Sequence, residues 1–241
     1  MKFWKIVLRS FMLLILVFSA TCLSLYEYDN IRQKERDRQY VVYNEAKDEI
    51  SLNLKMAKIA ILTKDLNMYH ESTAKIDSAI EKINSYQIIR EEQSEYVNEV
   101  ADYNNLLKER EESLREMKEL DDRVGAIREE LGSKYGDAKK LSRDSLKGAS
   151  KTIKDMEVNI EDYSEDSVRP VAETINKVLT KMNDLSSKLS NCIDKCYKED
   201  IKKISTDASN SLGKVVESFP GQNKDFISQF QLERLDELTK K

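Results

Sequence analysis

Residues 62–83 read LTKDLNMYHESTAKIDSAIEKI, and this stretch decides the fold class. Its positions Leu62, Leu66, Tyr69, Thr73, Ile76, Ile80 and Ile83 are spaced alternately four and three apart. That spacing sets all seven along one stripe of an α-helix, the edge a helix buries against a neighbour. Nothing in the chain competes as strand, because no sustained period-two alternation bounded by turn residues occurs. Composition agrees: 35% of the 241 residues are charged, 7% are aromatic, and there are only six Gly and two Pro. Few breakers among many Lys, Glu, Leu and Ile is the make-up of long helices and coiled coil.

Toward the C-terminus the stripe loses phase at Asn84-Ser85-Tyr86-Gln87, which reads as a turn between two helices. It resumes at Tyr96, Val100, Tyr103, Leu107, Arg110, Leu114, Met117, Asp121, Val124, Arg128 and Leu131. Gly132-Ser133-Lys134-Tyr135-Gly136 is the clearest break, two glycines in five residues being able to end a helix and reverse the chain. Leu146, Ala149, Ile153, Met156, Ile160 and Tyr163 form the next stripe. Ser167 is then a candidate N-cap, with Pro170 tolerated in the first turn. The most regular heptad follows: Val168, Val171, Ile175, Val178, Met182, Leu185, Leu189, Cys192 and Cys196. A last amphipathic helix carries Phe226, Ile227, Phe230, Leu235 and Leu238 beyond Phe219-Pro220-Gly221.

Charge favours folding back at the glycines. Residues 91–130 hold 14 Asp/Glu and six Lys/Arg, whereas 132–154 hold seven Lys/Arg and two Asp/Glu. Antiparallel packing sets these opposite signs side by side. Each exposed pair is worth only about 0.2–1 kcal/mol, so charge selects the arrangement while burial of the stripes stabilises it.

Toward the N-terminus the chain changes character. Phe11–Tyr26, FMLLILVFSATCLSLY, carries no charge. A helix from Trp4 to Tyr26 would rise roughly 33 Å, about one hydrocarbon thickness. Lys5 and Arg9 lie where cationic side chains snorkel to headgroups, and Trp4, Tyr26 and Tyr28 match an interfacial aromatic belt. Three fates compete for this run. An uncleaved signal anchor is favoured. A cleaved secretory signal has a fitting charged start and apolar centre but a poor small-residue cleavage pattern. A lipoprotein would carry its lipid on Cys22, where Ser19-Ala20-Thr21-Cys22 stands in the place of a lipobox but matches it poorly; otherwise Cys22 is an ordinary small residue of a membrane helix. Lys2, Lys5 and Arg9 argue for an N-terminus in the cytoplasm, while Arg32, Lys34, Arg36 and Arg38 beyond the run argue the other way. The export-like start places the body outside the cytoplasm, as a periplasmic or cell-surface domain; a cytoplasmic body and a secreted form are the alternatives.

Candidate reaction centres are scarce. His70 is the single histidine, which removes paired Glu-x-x-His and HExxH metal motifs. Beside Tyr69 it reads as a surface or boundary residue. Cys192 and Cys196 lie four apart; two thiols do not make a structural zinc site, and parallel Cβ vectors within one helix suit a disulfide badly. They read as small seam residues, with a disulfide between chains as the alternative. Three cysteines leave the redox compartment open. Arg110, Asp121 and Arg128 interrupt the seam and would specify register or partner, or mark where it is wet. Carboxylate runs such as Glu91-Glu92 and Glu111-Glu112 are solvated faces, and phosphate loops and nucleophile elbows are absent. A net charge of −4 recommends no nucleic-acid partner.

The expectation is therefore an all-α protein in three parts. Residues 1–30 form a transmembrane or signal helix. Residues 31–221 form an antiparallel bundle with helices near 31–84, 86–131, 137–163 and 168–216. Residues 222–241 form a C-terminal amphipathic helix. The alternative is an extended two-stranded hairpin with 31–131 as one arm. No catalytic residue, metal or cofactor is assigned. The expected function is a membrane-anchored scaffold or adapter that binds a protein partner, or itself, through its helices; Phe226, Ile227, Phe230 and Leu235 either bind that partner or dock on the bundle. The other expectation is a sensor holding a small ligand between helices. That plan is similar to the sensing half of chemoreceptors, without a second membrane helix or a signalling domain.

Overall fold

The computed structural model describes residues 2–135, 142–163, 168–192 and 223–241 with isolated positions between 195 and 213, and describes no side chain before residue 18. Every regular element among them is helical. They are α1 (Lys2–Thr63), α2 (Leu66–Asn84), α3 (Gln87–Glu109), α4 (Glu111–Tyr135), α5 (Arg143–Asp155), a 3-10 turn (Ile160–Asp162), α6 (Arg169–Cys192) and α7 (Leu232–Leu238). A further helical turn covers 223–228.

The expected helix over 31–84 is two helices. α1 ends at Lys64, whose backbone is left-handed with φ 55°. The Lys64 amide donates to the Ile61 carbonyl and the Asp65 amide to that of Ala60, the bond pair of a Schellman motif with lysine in the position glycine usually takes. Asp65 then caps α2 at once, its carboxylate accepting from the Met68 amide at 3.0 Å. The chain thus reverses within two residues. The turn after Asn84 falls where the loss of phase placed it. The expected helix over 86–131 breaks at Arg110 (φ −94°, ψ −1°). With breaks at 64, 85 and 110, residues 31–131 do not form one arm of a hairpin. Gly132 lies inside α4, and Gly136 is outside the described residues.

α1, α2 and α3 pack as alternating antiparallel helices. Lys82 of α2 pairs with Glu45 of α1 at 3.5 Å. Asn104 of α3 donates to the Thr73 carbonyl and to Asp77 of α2, and Lys108 pairs with the same Asp77. Tyr43 of α1 reaches Gln93 of α3 at 3.4 Å, and Lys47 lies over the Tyr96 ring. The C-terminal segment runs back along this trio as a fourth member. Phe230 sits beside Tyr69 with ring centroids 6.3 Å apart, Asp236 pairs with Lys58 at 2.6 Å, and Lys241 pairs with Glu99.

α4, α5 and α6 form a second antiparallel set. α5 runs antiparallel to α4, the arrangement the charge pattern favours, and Arg123 of α4 lies at the far end of α5. There its guanidinium donates to the carbonyls of Asp155, Met156 and Glu157. Three carbonyls left bare by the end of α5 are thus satisfied by one side chain. Ser150 meets Asn183 at 2.6 Å, and Asn176 exchanges two hydrogen bonds with the Val158 main chain. α5 begins at Arg143, behind a reciprocal Ser142–Ser145 capping box. It ends at Asp155, earlier than the expected 163. α6 ends at Cys192 and not at 216. Lys64 pairs with Asp121 of α4 at 3.1 Å and so ties the α1–α2 turn to the second set. One continuous apolar core links both sets.

Most stripes read from the sequence are the buried edges. Tyr69, Ile76, Ile83, Val100, Tyr103, Leu107, Leu146, Ala149, Ile153, Val171, Ile175 and Leu189 are all core residues. α4 corrects the reading: its buried line runs Leu114, Met117, Leu120, Val124, Ile127 and Leu131. Asp121 and Arg128 stand beside that line, so the seam is apolar. The expected and observed lines share Leu114, Met117, Val124 and Leu131, and differ only in that Leu120 and Ile127 are buried in place of their neighbours Asp121 and Arg128. Arg110 is the cap between α3 and α4, where its guanidinium donates to Gln229 at 3.3 Å.

Candidate interaction surface

Each exposed large apolar residue among the described residues lies on α1: Phe18, Leu23, Leu25, Tyr26, Tyr28, Ile31, Tyr40, Val41, Leu52, Ile59 and Leu62. Two regions contribute. Residues 21–38 are exposed at every position, so this part of α1 stands clear of the bundle on all sides. Beyond it, α1 turns one edge to the core through Tyr43, Ala46, Ile50, Leu54, Ala57 and Ile61. The opposite edge carries Val41, Leu52, Ile59 and Leu62, of which the last three are 59%, 47% and 49% exposed. The spacings 41–52, 52–59 and 59–62 keep these four within one broad face of the helix, with Glu45, Asp48 and Lys55 between them. Leu62, expected in one seam with Leu66 and Tyr69, lies on this outer face of α1, because α1 ends at Thr63 and the stripe from Leu66 onward belongs to a separate helix.

The apolar run itself is helical throughout, being part of α1. Among the described residues no helix is long and apolar enough to cross a membrane. The side chains of 11–17, the densest part of the run, fall outside that description.

The C-terminal aromatics are engaged within the chain. Phe226, Phe230 and Leu235 are buried, and Ile227 is partly buried against the same core. The Phe226 and Phe230 rings meet edge-on at 5.3 Å. Two tyrosines secure this end of the bundle: Tyr103 donates to the Phe230 carbonyl at 2.7 Å, and Tyr69 to the Leu107 carbonyl at 2.5 Å. Burial pushes both phenols well above the ordinary tyrosine range and brings Tyr96 to about 12. Each hydroxyl is thus a structural donor to main chain. The segment crosses its sharpest bend at Gln231, which is left-handed at φ 49°.

Cys22 is an exposed free thiol on α1. Cys192 is in a disulfide, where the sequence suggested a small seam thiol. The objection to a bridge assumed one continuous helix, and α6 stops at Cys192, where its carbonyl accepts from the Lys195 amide in a turn. Cys196 lies outside the described residues. His70 is exposed, with Nδ1 3.3 Å from Glu111. It lines an open groove of about 570 Å³ with Lys108, Glu112 and Arg115. A second groove of about 900 Å³ runs along the C-terminal segment past Glu99, Arg234, Glu237 and Lys241. Charges on both rims already pair within the chain: Arg115 with Glu112, Lys108 with Asp77, and Lys241 with Glu99. Among the described residues no cluster of three or more His, Cys, Asp or Glu is placed to hold a metal.

No protein family, curated protein or solved structure matches this chain.

Proposed function

We propose that the protein is a non-enzymatic helical scaffold, anchored in a membrane by the start of α1, that offers the outer face of α1 to a protein partner at the cell envelope. The observation that carries this reading is the confinement of the large exposed apolar side chains, among the described residues, to one helix. A soluble surface scatters such residues singly, whereas their concentration on one element marks something that covers it. Two kinds of cover are called for. The segment Trp4–Tyr26, built around the uncharged run Phe11–Tyr26 and edged by Lys5, Arg9 and Tyr28, would rise roughly 33 Å as a helix, about one hydrocarbon thickness. Val41, Leu52, Ile59 and Leu62 lie beside the folded bundle, where a partner helix could seat an apolar stripe of its own.

The body is assigned to the outer side of the membrane. The export-like start of the chain supports this, and so does the disulfide at Cys192, since such bonds persist in oxidising compartments and are rare in the cytosol.

Photo-crosslinking from Leu52 and Ile59 in whole cells tests the scaffold, with exposed Lys177 of α6 as the control. Adducts of one defined mass from positions 52 and 59, absent from 177, are expected. Recovery of the uncrosslinked chain alone from positions 52 and 59 would remove the scaffold reading. A C-terminal reporter active outside and silent inside is the expected topology result.

A further inference from the structure

We propose that residues 27–38 are a rigid helical spacer, bathed in water on every side, that holds the bundle about 20 Å from the membrane surface. This rests on the membrane reading above and adds what lies between anchor and bundle.

The stretch EYDNIRQKERDR has no apolar stripe with which to join a core, and each of its residues is exposed. It nevertheless continues α1 without interruption from the apolar run to the first buried residue, Gln39. A free peptide of this length would be a marginal helix in water, because forming the first turn is unfavourable. Here that first turn already exists at both ends, in the apolar run on one side and the bundle on the other. The spacer only has to propagate a helix, which is the easy step. Its sequence suits this. No Gly or Pro occurs before Gly125. Opposite charges recur three apart at Asp29–Arg32, Arg32–Glu35, Lys34–Asp37 and Glu35–Arg38, on neighbouring turns of one helix face. Like charges four apart at Arg32–Arg36 and Lys34–Arg38 act against these pairs, but they are fewer. At the lower end the side-chain amide of buried Gln39 donates to Glu35 at 3.3 Å, joining the last spacer turn to the start of the bundle. From Tyr26, at the expected interface, to Gln39 the helix rises about 20 Å.

The test uses the full chain with Cys22→Ser, so that introduced cysteines are the reactive thiols. Spin labels at Glu27→Cys and Asp48→Cys lie 21 residues apart, on nearly the same side of the helix. A narrow distance distribution near about 31 Å is expected. A broad distribution centred well below that value overturns the spacer, whether or not a membrane is present. The second readout is height. The chain is reconstituted in phosphatidylcholine vesicles carrying a headgroup acceptor dye, with a donor dye at Lys75→Cys on α2. Inserting seven helix-forming residues after Arg38 should lift the donor by about 10 Å, and seven Gly-Ser residues should not. Equal response to the two insertions overturns the rigid spacer. Failure of the chain to float with the vesicles, alongside a narrow label distance, overturns the anchor and the height while keeping the helix.

Discussion

Tyr69 and Tyr103 each hold a phenol in the core and donate its proton to a main-chain carbonyl, of Leu107 and Phe230 respectively. Burial raises both pKa values, so above pH 10 the unfolded chain gives up protons that the folded chain keeps. The unfolded state then binds fewer protons, and stability falls as pH rises. For Tyr96 the window runs from about 10, the unfolded value, to about 12. Ultraviolet titration should therefore show Tyr69, Tyr96 and Tyr103 released only with cooperative loss of helix. Ionisation of these three near pH 10 with helix intact would contradict the burial. Tyr103→Phe should lower stability by about 0.5–1.5 kcal/mol, read as a lower urea midpoint. The cysteines give a second check. Alkylation of the native chain should modify Cys22 before reduction and Cys192 only after it. Modification of Cys192 without reductant would show that the bridge is not there.

At the level of elements, the buried edges were legible because helical periodicity reports which side meets a neighbour. Tyr96, Val100, Tyr103 and Leu107 were readable for that reason, as was the fold-back of basic α5 on acidic α4. The ends of helices were less so. Lys64 breaks α1 in a conformation that glycine or asparagine usually adopts, and lysine gives no such warning. Asp65 did carry a signal, as an N-cap residue directly before Leu66, but the unbroken stripe concealed it. Arg123 is a helix stop of another kind, supplied from across the bundle, and no local pattern announces it. Arg123→Ala should free three carbonyls at the end of α5 and cost about 1–3 kcal/mol. Faster amide exchange confined to α5 and its junction with α6 is the expected signature; unchanged exchange there would show the guanidinium to be ornamental.

For the whole molecule, the C-terminal segment decides whether α1, α2 and α3 form a finished unit. Its aromatics were visible in the sequence, but whether they served a partner or the chain itself was not, since an amphipathic helix looks the same in both settings. Phe230 is fully buried between Tyr69, Tyr103 and Phe226. Phe230→Ala should cost about 3–5 kcal/mol, and circular dichroism with denaturant reads it. A loss below about 1 kcal/mol would mean that the segment rests on the bundle without completing its core. The outer face of α1 was hidden differently: Leu62 was read into the stripe of the next helix, no reading was made of Leu52 and Ile59, and only packing shows which of two edges is covered.

α1 runs as a single helix of 62 residues, about 93 Å, from Lys2 through the uncharged run to Thr63. It has no joint at which motion of one end could be lost before reaching the other. A quarter-turn of the N-terminal portion about its axis would swing Leu52 and Ile59 through the same angle, carrying α2, α3 and the C-terminal segment along. The helix is therefore built like a driveshaft, in which the orientation of the greasy end and the heading of the bundle are a single mechanical variable.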